Sequence, residues 1–252
     1  MKLLLYLSYH GKNFNGYQVQ VGLRTVQGEL CRAANEIFGC ECDVTGCSRT
    51  DRGVHANMFC ATVTKKGEKD LETHININKI PLAFCSHLPE DISVFDAEWR
   101  ESDFHPRYDV KYKEYIYRIY NRRQRSPFEE GLSLHYPKVI SDEKLALMND
   151  AAQKFTGSHD FSAFMAQGSK VESTIRNIYY ANVERQGDVI IFKVAADGFL
   201  YNMVRILTGT LIFVAEGKIL PEQIEEIIKS KDRKYAGMTV PAWGLYLNKV
   251  EY

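Results

Sequence analysis

Apolar positions change their period along the chain, and the changes mark out elements. Leu3 to Tyr9 is rich in Leu and Tyr and closes on His10-Gly11, predicting an opening strand. From Thr25 the spacing becomes helical: Val26, Leu30, Ala33 and Ile37 share one face, and Gly39 stops it. Cys42 to Thr45 and Met58 to Thr64 read as strands around the polar stretch Gly46 to Gly53, and Lys65 to Asp70 as a surface turn. The middle of the chain lacks either period and reads as irregular, with Leu88-Pro89-Glu90-Asp91 and Phe104-His105-Pro106-Arg107 as loop chemistry. Val110 to Tyr120 is predicted as a long strand carrying four tyrosines. Ser141 caps a helix with Asp142 and Glu143 in its first turn, an apolar face of Leu145, Met148, Ala152 and Phe155, and a stop at Gly157. Ile175 to Val183 and Val189 to Ala195 form a strand pair turned by Gln186-Gly187-Asp188. Asn202 to Val214 is helical through Met203, Ile206, Thr210 and Phe213, and Pro221 opens a further helix through Ile224 and Ile228.

Strand–helix–strand–strand therefore recurs in each half, and strands group together instead of alternating with helices. That order predicts an α+β fold with mainly antiparallel sheet, not a doubly wound parallel one. The expected division falls near residue 105, giving parts 1–105 and 106–252. At 45% hydrophobic and 25% charged residues the chain has the balance of a globular protein, which excludes disorder as its main state. Lys+Arg and Asp+Glu are both 32, so a whole-surface polycation is excluded while local basic faces are not. Six cysteines without a C-x-x-C pattern predict reduced thiols, and Cys40-x-Cys42…Cys47 lacks the second ligand pair of a zinc site. The N-terminal apolar run is too short for a signal-peptide core and no segment reaches the length of a membrane helix, so a cytoplasmic protein is expected.

The densest chemical signal is Gly46-Cys47-Ser48-Arg49-Thr50-Asp51-Arg52-Gly53-Val54-His55-Ala56, polar, flanked by glycines and set between two strands. Arg49 and Arg52 bracket Asp51, and a guanidinium close to a carboxylate favours its ionised form. Such an Asp can act as nucleophile or base; it can also be one half of a solvated surface ion pair. An aspartic protease or a glycosidase needs a second cooperating carboxylate, which the sequence does not offer. No phosphate loop, H-E-x-x-H or G-x-S-x-G is present, so nothing asks for a nucleotide cofactor, flavin or metal. A second signal interleaves Lys111, Lys113, Arg118, Arg122, Arg123 and Arg125 with Tyr112, Tyr115, Tyr117 and Tyr120. Cations that track phosphates beside aromatics that stack bases suit RNA; the alternative is an amphipathic strand with half-buried tyrosines. The third is Arg205, alone on an apolar helix among Met203, Val204, Ile206 and Leu207, where it needs a partner. His10, His55, His105 and His159 fall in loop-like contexts and read as scaffold residues.

Taken in order, these motifs resemble the TruA family of tRNA pseudouridine synthases over nearly the whole chain. The resemblance is carried by Tyr9 to Gln18, Arg24 to Leu30, the loop Arg49 to Ala56, Phe104 to Arg107 and Tyr115-Ile116-Tyr117. It continues through His159 to Phe164, Thr174-Ile175-Arg176, Phe199 to Arg205 and Pro241 to Leu247. It implies a pseudouridine-synthase fold of two similar lobes around a basic cleft. The implied activity is isomerisation of uridine to pseudouridine in the anticodon stem-loop of tRNA, at positions 38–40, by a homodimer without a cofactor. Asp51 matches the family's catalytic aspartate, Arg49 the loop arginine that helps expel the base, and Arg205 the helix arginine that pairs with the aspartate. Tyr115 matches the tyrosine that stacks on the uracil and Leu245 a wall of the pocket. Arg52, Arg107, Arg122, Arg123 and Arg125 are expected to contact RNA. The chain departs from the family's pattern at Arg52, where a small residue is usual, at Tyr17 for Trp, at Ser48 for Gly, and near Met58, where Gln is common. A non-catalytic RNA-binding protein on the same fold, or a synthase for other uridines, remains the alternative.

Overall fold

The computed structural model describes residues 1–168 and 171–252. They form two compact units, one of Met1–Lys111 together with Tyr246–Tyr252, the other of Tyr112–Leu245. Against the expected division near residue 105, the first unit runs on to Lys111 and takes back the end of the chain.

In the first unit, β1 (Lys2–Tyr9) lies antiparallel between β3 (His55–Lys65) and β4 (Ile92–Arg100). Leu3, Leu4, Leu5 and Leu7 are all fully buried, so this strand is covered on both faces and reads as a continuous apolar run. The far edge of β3 is shared. Its Ala61–Lys65 end pairs antiparallel with β2 (Cys42–Gly46), and His55 and Ala56 pair in parallel with Tyr246 and Leu247 of β10 (Leu245–Glu251). Helix α1 (Val26–Phe38) packs on β2 and begins where the Thr25 hydroxyl accepts the Gly28 N–H; Gly39 ends it in the left-handed region.

The irregular middle is a misreading corrected by α2 (Ile80–His87) and β4. Pro81 looks like a breaker but sits in the first turn of α2, where its missing N–H costs nothing. The eight residues of α2 are too uniformly apolar to show a period. In β4 half-buried and exposed residues blur the alternation. The closing strand β10 was likewise not expected.

In the second unit β5 (Tyr112–Tyr120), β9 (Val189–Ala196), β8 (Ile175–Gln186) and β7 (Gly157–Asp160) follow one another antiparallel, with β6 (Leu134–His135) parallel on β5. Helix α3 (Asp142–Gln153), capped by Ser141 as expected, packs on β8 and on α4 (Met203–Ala215); α5 (Gln223–Ser230) packs on β7. All of α4 except Arg205 and Phe213 is buried, which makes it the core helix of this unit. The expected α+β fold with mainly antiparallel sheet is thus what the chain forms. No helix among the described residues is long and apolar enough to cross a membrane.

At the end of α4, the Glu216 carboxylate accepts the Tyr136 hydroxyl (2.8 Å) and pairs with Lys218 (2.6 Å) and Lys138 (3.4 Å). Lys218 and Tyr136 together hold its pKa down from 4.5 to about 2. A depressed carboxylate stabilises the fold above its unfolded pKa and loses that contribution as pH falls through the folded one. Glu216→Gln is therefore expected to unfold at lower urea than the wild type at pH 7, with the gap closing as pH falls from about 5 towards 2. A gap independent of pH in that range would show that the carboxylate charge is not what stabilises this corner.

Candidate functional site

The loop Cys47–Val54 leaves β2 and enters β3, and the scaffold around it fixes its backbone. Tyr17 N–H donates to the Thr50 carbonyl (3.1 Å), and Val54 N–H donates to the Asp51 carbonyl (3.2 Å) across a turn with Gly53 at φ +82°. The Thr50 hydroxyl is buried and shares a 2.8 Å hydrogen bond with Tyr9. Gly16 also has positive φ (+87°), and a Cβ there would stand 2.8 Å from the Thr50 carbonyl; at Gly11 it would meet the Val54 carbonyl at 2.0 Å. These glycines of the opening motif therefore serve one purpose: they let the chain press against both sides of the Asp51 turn.

His55 is a correction to the loop-like reading. It opens β3, is buried, accepts the Gly11 N–H at Nδ1 (3.0 Å), and stacks on Tyr246 at 4.5 Å. It remains a scaffold residue. Tyr17 is buried as well. Its ring stacks on Phe59 (4.5 Å, 26°) and fills the space over Gly46, where a Cβ would lie 2.5 Å from Tyr17 Cζ. Burial pushes its phenol well above the usual tyrosine range.

A polar hollow of about 320 Å³ opens beside the loop, with Asn15, Gln18, Gln20, Arg49, Asp51 and Arg52 in its walls. Asp51 is half-buried; Arg49 and Arg52 are exposed. Both arginines line the same hollow as Asp51 and carry their guanidiniums on exposed side chains. The structure thus brings Arg49, Asp51 and Arg52 into one cavity, of a size that accepts a small ligand or a single nucleoside.

In the second unit, Tyr115 on β5 is buried at 7% exposure and meets Phe199 edge-on (5.1 Å, 83°). Arg205 has the partners its apolar helix demanded: Nε donates to the Val240 carbonyl (2.7 Å) and Nη1 to Asn202 Oδ1 (2.7 Å). Asn202, expected as the first residue of the helix, instead caps it at φ +59°, a left-handed position that asparagine tolerates. Val240 is distant in sequence. Leu245 is buried, directly after Gly244, whose Cβ would press into the Tyr117 ring at 2.6 Å.

Of the two readings of the tyrosine strand, the amphipathic one with packed rings describes its tyrosines: Tyr115 and Tyr117 are buried, Tyr112 and Tyr120 half-buried. Tyr117 is fully buried with its hydroxyl donating to the Pro241 carbonyl (2.7 Å), and Lys113 is buried too. Arg118 pairs with Glu129 (3.3 Å) and Arg122 with Asp188 (2.8 Å). Arg123 and Arg125 are exposed, and Arg107, in the first unit, is exposed beside the Tyr108 ring at 5.8 Å.

Residues 151–252 match the family profile described as tRNA pseudouridine synthase. Over 248 residues the chain is 43% identical to "tRNA pseudouridine synthase A" of Clostridium acetobutylicum, covering 98% of each protein. It is 42% identical over 250 residues to the protein of that name from a Thermoanaerobacter species, covering 99% of each, and 39% identical to that of Staphylococcus carnosus, covering 99% of this chain and 90% of that one.

Proposed function

As a member of the tRNA pseudouridine synthase A family, the chain is a tRNA-modifying isomerase, and we propose that it converts uridine to pseudouridine in the anticodon stem-loop with Asp51 as the reacting carboxylate. The observation that carries the assignment of Asp51 is its position: half-buried in the wall of a nucleoside-sized hollow, on a loop held from both sides, with two exposed guanidiniums at the opening.

The chemistry suits one carboxylate. The reaction breaks the C1′–N1 glycosidic bond, turns the uracil and joins C1′ to C5, with the C5 proton lost and one gained at N1, so it is redox-neutral. Ionised Asp51 either adds to C1′ as N1 departs, or takes the C2′ proton to leave a glycal that later recaptures it. Both routes return the carboxylate unchanged. The nucleoside must first leave its stack, at a cost of a few kcal/mol. In this proposal Arg49 helps expel the base, Tyr115 stacks on the uracil, Leu245 walls the pocket, Arg205 orients the aspartate, and the protein works as a homodimer.

Incubating the protein with unmodified tRNA transcript and mapping pseudouridine by carbodiimide treatment and primer extension tests the reading. Stops confined to the anticodon arm are the expected result; a transcript without stops overturns it. In this reading the exposed side chains of Arg49, Arg52, Arg123 and Arg125 contact phosphates, so tRNA affinity is expected to fall steeply, by at least about tenfold, between 50 and 200 mM salt. A flat salt response in a filter-binding titration would contradict phosphate contact by these side chains.

A further inference from the structure

We infer that the turn Gln20–Leu23, with Val21 at its apex, is a substrate-contacting element: an apolar tip that fills the space left in the RNA when the target nucleotide turns out of its stack. This rests on the reading of the chain as a tRNA pseudouridine synthase and adds to it a positioning residue outside the Asp51 loop.

The starting point is exposed aliphatic surface. Val21 is fully exposed (102%), and Val19 (53%) and Leu23 (49%) are about half exposed. Single exposed aliphatics are ordinary on protein surfaces. Three within five residues, at a turn where polar residues are favoured, are not.

The tip is also rigidly built. Leu23 N–H donates to the Gln20 carbonyl (3.2 Å), and Gly22 supplies the φ of +73° that such a turn needs at its third position. The stem is tied by Asn15 N–H to the Arg24 carbonyl (2.9 Å), by the Gln20 amide to the Asn15 carbonyl (2.7 Å) and by Val19 N–H to Gln27 Oε1 (2.9 Å). At its base Arg24 grips Asp91 through two 2.8 Å bonds and lies over the Phe14 ring at 4.2 Å.

Its location points to the occupant. Gln18 and Gln20, on the same stem, line the hollow together with Arg49, Asp51 and Arg52. A ligand that fills the hollow and reaches past Gln20 to the tip therefore meets two guanidiniums as well. A nucleic acid satisfies both features, with phosphates for the arginines and base faces for the valines. When a nucleotide leaves the helix its neighbours each lose a stacking contact, and an aliphatic group entering the gap restores part of it. The benefit is greatest for a uridine that begins paired and stacked.

The test compares wild type, Val21→Ser and the double variant Val19→Ser/Val21→Ser in single-turnover pseudouridine formation. Two anticodon-arm transcripts are used, one with the target uridine paired and one with its partner base changed so that it is unpaired. The double variant is expected to be about tenfold slower on the paired target and within about twofold of wild type on the unpaired one, the loss corresponding to one buried aliphatic contact. The melting temperature of Val21→Ser should be unchanged, because Val21 is fully exposed. Equal loss on both transcripts, or no loss on either, overturns the inference. So does a change in oligomeric state with activity intact, which would make the tip a protein contact. If the wild type makes no pseudouridine in either transcript, it is the synthase reading itself that fails.

Discussion

Asp51→Asn is expected to abolish pseudouridine formation, by about 10⁴-fold, while tRNA binding stays close to that of the wild type. The substitution exchanges one carboxylate oxygen for an amide nitrogen and keeps the shape. The substitution leaves the backbone ties of the loop in place: the Thr50 and Asp51 carbonyls are held by Tyr17 and Val54 N–H groups, and the Thr50 hydroxyl by Tyr9. What disappears is the anion that attacks C1′ or takes the C2′ proton. Removing a negative charge from a surface that meets phosphates cannot weaken binding electrostatically. Single-turnover assays beside filter binding give both quantities. Residual turnover at a tenth of the wild-type rate would show that Asp51 is not the reacting group.

The second large effect is expected in the other unit, and its sign is the informative part. Replacing a helix-interior glycine by alanine ordinarily stabilises by about 1 kcal/mol. Gly209→Ala should instead destabilise by about 3 kcal/mol or more, since overpacking against fixed backbone cannot relax cheaply. A Cβ at Gly209 would lie 1.8 Å from the Met238 carbonyl, and one at Gly237 would lie 2.2 Å from Thr210 N. Here α4 and the segment after α5 touch backbone to backbone, with no side chain to move aside. Their contact is closed by Gly237 N–H to the Thr210 hydroxyl (2.8 Å) and by Arg205 Nε to the Val240 carbonyl (2.7 Å). Forcing the two apart removes those bonds, the Val240 contact of Arg205 among them. Urea denaturation measures the change; a Gly209→Ala protein as stable as the wild type would refute this packing.

These two sites also show where the sequence was readable. The Asp51 loop announced itself through polarity, flanking glycines and neighbouring strands, all of which are local. Ser141, Gly39 and Gly187 likewise marked their caps and turns, because each acts on residues next to it. The grip on Arg205 was half legible: a lone cation on an apolar helix demanded a partner, and Asn202 lay within one turn, but Val240 is brought in only by the tertiary fold. For the tyrosine strand the sequence left two readings open. Alternating Lys, Arg and Tyr describes equally a strand open to RNA and one whose rings are packed away. For Tyr117 and Lys113 packing decides the matter, and Glu129 and Asp188 claim two of the arginines. Helix α2 and strand β4 escaped because neither is long or regular enough to display a period.

The return of β10 to the first unit sets an order of events at the ribosome. Residues 112–245 emerge complete before the strand that finishes the earlier unit, so a nascent chain holds its second unit entire while the His55–Ala56 edge of β3 still lacks Tyr246 and Leu247. That last pairing joins residues far apart in sequence, the kind of closure that is slow to form. The half bearing Asp51 is thereby completed only when Tyr246–Tyr252 join it, after the whole of the intervening unit has been made.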